Sequence, residues 1–270
     1  MPDETVLVLA GENYSIGAEE MKLDLIDMYT DYLHDVNKQK VEDRYTGREE
    51  WFHASGAGMC LRKHRFAHID MIESAPKSDK SMRLLRLGEL VHDDFEKAVH
   101  YFIDKYNIED AELLTEQEIK IPEWNVRGFF DVVIGSTGIL YDIKTANSFK
   151  FKKLFGRSPD PNPANNYELQ LGTYAYWYEK EYDKRLRMAL VYYNKDNSNI
   201  RELFVNRNCI RLASEYWKMG NEQVTIGIPP VHLGTSPAYG WECNPEYCQY
   251  FEHCGGGIKP ELLKKKRKTK

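Results

Sequence analysis

Apolar residues recur along this chain in two different rhythms. Between Asp79 and Tyr106 they fall at Leu84, Leu87, Leu90, Val91, Phe95, Val99 and Phe102, the three-and-four spacing of an amphipathic helix, with Ser78 or Asp79 placed to cap it. Val126–Ile134 and residues 139–145 are instead dense in β-branched and aromatic side chains, and the turn cluster 135–138 separates them, so they read as a hairpin. A strand-like stretch at 116–121 precedes this pair, and a second helix is expected at 167–182. Strands at Arg187–Asn194 and Ile200–Val205 follow, then a helix at 208–220. Residues 12–50 read as helical, with Ile26, Met28, Tyr29, Tyr32 and Leu33 as a packing stripe. The stretch 155–166, with Pro159, Pro161 and Pro163, reads as a loop. Strands and helices mixed in this order predict an α/β fold, a mixed central sheet flanked by helices.

The hairpin carries the informative chemistry. Asp131 lies in its first strand and Asp142, Ile143 and Lys144 in its second, giving the pattern Asp, ten residues, Asp-x-Lys. Antiparallel pairing would bring Asp131 and Asp142 onto neighbouring strands, near enough to share a cation. A divalent-metal nuclease needs two such carboxylates and an ammonium beside them. Asp-x-Lys alone is a common tripeptide and usually a solvated strand edge. His92 alone reads as an ordinary helix histidine. Their company changes the weighting: His92 follows Gly88 by four positions, and Gln170 and Tyr174, four apart, share a helix face. Glu118 is either a further acidic neighbour or a solvent-facing strand residue.

The order Gly-x-x-x-His, Asp, Asp-x-Lys, Gln-x-x-x-Tyr resembles the RecB-type nucleases of the PD-(D/E)xK superfamily over residues 88–174. The resemblance implies a restriction-endonuclease-like core. It implies that His92, Asp131 and Asp142, joined by the backbone carbonyl of Ile143, ligate a metal, and that Lys144 is the catalytic lysine. Gln170 and Tyr174 would orient that lysine or the scissile phosphate. Oxygen ligands suit Mg²⁺, and one imidazole shifts the preference toward Mn²⁺.

There are five cysteines, and Cys243, Cys248 and Cys254 cluster as Cys-x4-Cys-x5-Cys while Cys60 stands far upstream. In a chain without a secretory signal this argues for metal or iron-sulfur ligation over disulfides. Four thiolates suit a 4Fe-4S cluster; zinc is the lesser alternative. The one-plus-three split around the nuclease motifs resembles the iron-sulfur branch of the same family, to which AddB-type and CRISPR-associated nucleases belong. There the first two C-terminal cysteines are usually two residues apart, whereas here four separate them. The resemblance implies a staple, an iron-sulfur lobe joining N- and C-terminal segments. Cys209 reads as a small buried apolar residue.

Charge refines the picture without producing it. The formal net charge of −5 argues against a generally basic DNA-coating protein, so DNA contact would rely on local patches. Candidates are Arg62, Lys63 and Arg65, then Arg83 and Arg86, with Lys150, Lys152 and Lys153 after the hairpin; each is by default a solvated face. The basic tail 264–270 is expected to be disordered. No apolar run approaches a membrane span, and the short apolar segment 6–10 follows acids rather than bases, so a cytoplasmic location is expected. The expected organisation is a helical region at 1–78, a nuclease core at 79–225, a cysteine segment at 226–258 and the tail at 259–270.

These readings converge on a metal-dependent DNA exonuclease acting at single-stranded ends, in recombination, repair, phage DNA metabolism or CRISPR adaptation. The chain carries no helicase-type phosphate loop, so unwinding would fall to a helicase or recombination partner, and a homo-oligomer stays open. The alternatives are a non-catalytic nucleic-acid-binding subunit and a zinc-stabilised interaction protein.

Overall fold

In the computed structural model the described residues are 13–16, 19–22, 24–45, 51–159, 166–231, 236–237 and 239–255. The basic tail, the apolar segment 6–10 and Pro161 and Pro163 of the expected loop lie outside them. The chain divides into two compact units, Met1–Arg48 with Lys77–Arg86, and Glu49–Pro76 with Leu87–Lys270. Among the described residues no helix is long and apolar enough to cross a membrane.

The first unit begins with an antiparallel hairpin of β1 (Asn13–Ile16) and β2 (Glu19–Lys22), followed by α1 (Leu25–Tyr45). Asp24 caps α1, its Oδ1 accepting from the Ile26 N–H at 2.9 Å. Helix α3 (Asp79–Tyr106) starts in this unit, with His34 Nε2 3.0 Å from Asp79 Oδ1 and Ser78 Oγ accepting from the Ser81 N–H. Two expectations are corrected here. Asn13–Ile16 and Glu19–Lys22 are paired strands and not helix, since Asn13 and Ser15 are weak helix formers that oppose propagation. The stripe on α1 does not pack: Ile26 is 71% and Tyr32 51% exposed, Met28 and Tyr29 are exposed too, and Leu33 alone is buried. Periodicity marks an apolar face; burial also requires a surface opposite it.

The second unit is built on a mixed six-stranded sheet of β3 (Phe52–His53), β4 (Leu113–Ile121), β5 (Val126–Ile134), β6 (Ile139–Ala146), β7 (Arg187–Asn194) and β8 (Ile200–Val205). Strand β4 runs antiparallel along the length of β5 on one edge. The other edge of β5 is shared. Near its start Val126 and Arg127 pair in parallel with β3, and near its end Val132, Val133 and Ile134 pair antiparallel with β6. Between these contacts β6 leaves β5 and continues in parallel with β7, from Ile139 against Arg187 to Ala146 against Asn194. A fork therefore opens in the sheet beside residues 128–131.

Two apolar layers clamp this sheet. On one side Phe130, Leu140, Leu190 and Tyr192 join the main core, to which Leu61 of α2 (Leu61–His68), Leu171 of α5 (Asn166–Tyr182) and Trp217 of α6 (Asn208–Ile226) contribute. On the other, α3 lays Val91, Phe95 and Val99, four residues apart, against Val132, Ile143 and Val191. The stripe expected on α3 is thus shorter than its periodicity suggested. Leu84, Leu87, Leu90 and Phe102 are exposed, and of the expected stripe Val91, Phe95 and Val99 pack on the sheet. Helix α4 (Ser148–Phe155), capped by Asn147 accepting from the Lys150 N–H at 2.9 Å, occupies a stretch to which the pattern assigned no element. Helix α6 runs beyond the expected stop at 220: Gly220 lies inside it, where a Cβ would come 3.3 Å from Leu61 Cδ2, so it serves close packing and not termination. Cys209 is buried, its Sγ 3.7 Å from Met188 Sδ.

His64 is locked into the core. Its Nε2 lies 3.0 Å from Gly56 O and 2.9 Å from the Tyr216 hydroxyl, and its ring packs on Phe52 and Trp217. Burial, with His68 as a like-charged neighbour, pushes its pKa down to about 3. A histidine neutral in the fold but titrating near 6.5 when unfolded contributes stability above that pH, and loses it as pH falls and the unfolded chain takes up the proton. Wild type should lose about 2 kcal/mol of unfolding free energy between pH 7 and 5 from this residue alone. Urea titrations at both pH values check this: the loss should be smaller by that amount in His64→Gln, and equal losses would contradict it.

Candidate active site

The charged residues gather at the fork. Asp131 stands at its closed end, and its Oδ2 accepts a 2.5 Å hydrogen bond from the Ile143 N–H. A side chain thus replaces a ladder bond between strands that have parted. Oδ1 of the same carboxylate lies 3.3 Å from Nδ1 of His92, which α3 carries one position after Val91 of its packing face. Along β6, Asp142 is 1% exposed, and the Lys144 ammonium lies 2.6 Å from its Oδ2. Among the described residues its Oδ1 has no hydrogen-bond partner. From α5, Gln170 Nε2 donates to the Tyr174 hydroxyl at 2.9 Å, and the Tyr167 ring centroid lies 5.2 Å from Lys144 Nζ. Gly128 makes room at this place: a Cβ would lie 2.7 Å from Ala54 Cβ and 3.2 Å from Tyr174 Cε1.

Electrostatics ties these groups together. Burial pushes the Asp142 carboxyl up to about 6, and the Asp131 charge adds to this while Lys144 opposes it. Asp131 goes the other way. Burial would raise it, but the His92 hydrogen bond, the Lys144 charge and the Ile143 N–H hold it below the usual carboxylate range. For His92, burial lowers the pKa and Asp131 more than restores it, so the imidazole is held above its ordinary value. Lys144 is likewise desolvated, yet Asp142 and Asp131 together raise it. Tyr174 is pushed well above the phenol range by burial and then by the Asp142 charge. Two neighbouring buried carboxylates, one with an oxygen that has no hydrogen-bond partner among the described residues, are short of positive charge. A divalent cation with oxygen and imidazole ligands fits that deficit.

Of the other expected residues, Glu118 is turned elsewhere. Its carboxylate lies 3.6 Å from both Arg127 Nη2 and Lys120 Nζ. Glu116, two residues earlier, was not singled out by the sequence reading, yet a ligand atom of Glu116, of His92 and of Asp131 all lie within 4.8 Å of one another. Strand periodicity cannot separate 116 from 118; the register can, because Glu116 lies between Thr115 and Gln117, whose partners Val132 and Phe130 flank Asp131. Burial, then the Asp131 and Glu96 carboxylates, hold Glu116 above its ordinary pKa.

Two arginines of the basic patch on α2 make hydrogen bonds within the fold. Arg62 donates to Pro229 O and, at 3.1 Å, to Cys254 Sγ, and Arg65 donates to Asp70 and Val224 O. Arg83 and Arg86 are on α3 in the first unit, Arg83 exposed and Arg86 half-buried. Nearer the fork, Lys150 Nζ lies 4.1 Å from the same Tyr167 ring that Lys144 approaches.

The cysteines form a separate centre. Cys60, Cys243, Cys248 and Cys254 line one cavity, with Lys63 and Phe66 beside them, and Cys209 is not among them. The Cys60 N–H donates to Glu242 Oε2 at 2.7 Å and its Sγ lies 3.1 Å from Ser236 Oγ, so segments some 180 residues apart are docked here. None of the five cysteines forms a disulfide. Burial raises the Cys60 and Cys248 thiols.

No protein-family model matches the chain, and no curated protein matches it in sequence. Among solved structures, SSO0001 aligns at a TM-score of 0.51 with 18% identity, covering 87% of this chain and 99% of that one. A candidate exonuclease from Eubacterium rectale aligns at 0.48 with 16% identity over 68% of this chain and 84% of its own. The alkaline exonuclease from Laribacter hongkongensis aligns at 0.46 with 13% identity over 68% and 93%. The SSO0001 alignment shows a shared fold.

The buried ion pair yields a stability test. Lys144→Met should cost about 3 kcal/mol or more in chelator-containing buffer, because Asp142 is left buried beside Asp131 without its cation. Adding Asp142→Asn in the same chain should recover most of that loss. Equal stabilities for wild type and Lys144→Met in urea titrations would contradict the pairing.

Proposed function

We propose that the fork binds a divalent cation, Mg²⁺ or Mn²⁺, and that this chain is a DNA nuclease of the RecB-type PD-(D/E)xK kind, working as an exonuclease at single-stranded ends. The observation that carries this is Asp142: a fully buried carboxylate with an orphaned oxygen, adjoining Asp131, His92 and Lys144 where the sheet parts. His92, Asp131, Asp142 and the Ile143 carbonyl would hold the ion, which supplies charge neutralisation on the phosphate and acidifies the attacking water. Lys144, with its pKa raised by two carboxylates, keeps its proton and serves as a cationic donor to that water or to the phosphate. Gln170 and Tyr174, hydrogen-bonded to each other, keep the wall behind Asp142 in place. Lys150 and the Tyr167 ring offer the strand a charge and an aromatic face next to Lys144.

The four lining cysteines are proposed to hold a 4Fe-4S cluster as a structural staple. The Cys-x4-Cys-x5-Cys spacing lacks the paired Cys-x2-Cys knuckles common at structural zinc sites, which supports the cluster over zinc. Any unwinding is assigned to a partner, in recombination, repair, phage DNA metabolism or CRISPR adaptation, within the cytoplasm.

End-labelled single- and double-stranded DNA incubated with Mn²⁺ or Mg²⁺ tests the activity. Wild type should shorten labelled single strands, chelator should stop it, and Asp142→Ala and Lys144→Ala should each lose cleavage while keeping visible cluster absorption. Undiminished cleavage by both variants would overturn the assignment. Cys248→Ala should instead bleach the anaerobically purified protein and lower its melting temperature, since cluster ligation is coupled to folding. A colourless wild-type protein containing zinc would replace the cluster.

A further inference from the structure

We propose that Glu116 of β4 is a cation ligand, forming with His92 and Asp131 a site on the α3 side of the sheet. This deepens the preceding reading, on which it rests, by adding a carboxylate from a third strand.

Three observations converge on Glu116. First, the register of β4 on β5 pairs Thr115 with Val132 and Gln117 with Phe130 and skips the residues between, which places Glu116 level with Asp131 at a break in the ladder. Like charges directly opposite each other on paired strands are destabilising. Among the described residues no lysine or arginine forms an ion pair with Glu116, so the two carboxylates share the His92 imidazole while the Lys144 charge acts on Asp131.

Second, both strands roll over at this pair. On β5, Phe130 belongs to the main core and Val132 to the α3 cluster, although residues two apart on a regular strand share a face. On β4, Ile119 and Ile121 pack in the main core, while Leu113 packs on the α3 side. Both changes of face bracket Glu116 and Asp131. Glu116 itself has φ of +45°, a left-handed conformation that a non-glycine residue adopts at a cost. Local irregularities of this kind re-aim side chains. Here the one in β4 turns Thr115 toward α3, where His100 Nε2 lies 3.1 Å from its Oγ1, beside Glu116.

Third, Asp142 provides an independent sign of a missing cation. Nine-tenths and more buried, it adjoins Asp131 through the Ile143 N–H and presents an oxygen without a hydrogen-bond partner. A cation held between Glu116, His92 and Asp131 would relieve the repulsion between the two carboxylates. Glu116 is exposed, which leaves the site open to entering ions.

Mn²⁺ binding to the purified full chain, followed by the electron-paramagnetic signal of the free ion, tests this without reference to activity. Glu116→Gln should weaken Mn²⁺ binding by about tenfold or more, the loss seen even for groups that only buttress a metal ligand. Glu116→Asp, keeping the charge on a shorter arm, should fall between. Glu118→Gln, on the same strand and outside the site, should bind like wild type. Without metal, Glu116→Gln should melt no lower than wild type, because a like-charge contact is removed, and its stabilisation by added Mn²⁺ should shrink. Wild-type Mn²⁺ affinity in Glu116→Gln would overturn the role of Glu116 while leaving the nuclease reading intact. A wild-type protein that takes up no Mn²⁺ would overturn both.

Discussion

Asp131 and Asp142 are held near each other by backbone that has stopped pairing, and their mutual repulsion is the constraint on which the site depends. Strands β5 and β6 keep three pairs and then part. Past that point the Asp131 carboxylate takes over the Ile143 N–H. This exchange fixes the carboxylate's position with a bond that a continuous ladder would have denied it, and it opens the gap into which α3 delivers His92 and α5 presents Tyr174. Lys144 then offsets part of the negative charge. Asp142 still keeps a buried oxygen without a hydrogen-bond partner among the described residues, so the offset is incomplete.

Sheet and helices are arranged to hold this imbalance. The main core anchors β6 and β7 against α5 and α6, and the smaller α3 cluster presses Val132 and Ile143 from the other face. Each layer fixes residues that neighbour the charged ones in sequence: Phe130 and Val132 flank Asp131, and Ile143 lies between Asp142 and Lys144. Packing therefore sets the spacing of the site. The thiol centre contributes differently. Cys60 caps α2 and meets residues 236–254, so it ties the two ends of the second unit together without touching the fork.

Much of this frame was legible in the sequence because its cause is local. The bounds of β5, β7, β8 and α3 followed from side-chain type and period, and Asp131 and Asp142 do fall on antiparallel neighbours. What escaped was set by tertiary context. Met28 and Tyr32 have the spacing of a packing face but remain exposed. Gly220 has the chemistry of a helix stop but serves close packing. Glu116 and Glu118 are equivalent by periodicity, and only the register across β5 distinguishes them.

The account turns on a cation deficit at the fork, and anomalous diffraction at the manganese edge from crystals grown with Mn²⁺ measures it directly. A peak bounded by His92, Asp131 and Asp142, with the Asp142 Oδ1 now ligated, is the predicted result. Full-occupancy Mn²⁺ elsewhere with none at the fork, and Asp142 still paired with Lys144 alone, would contradict it.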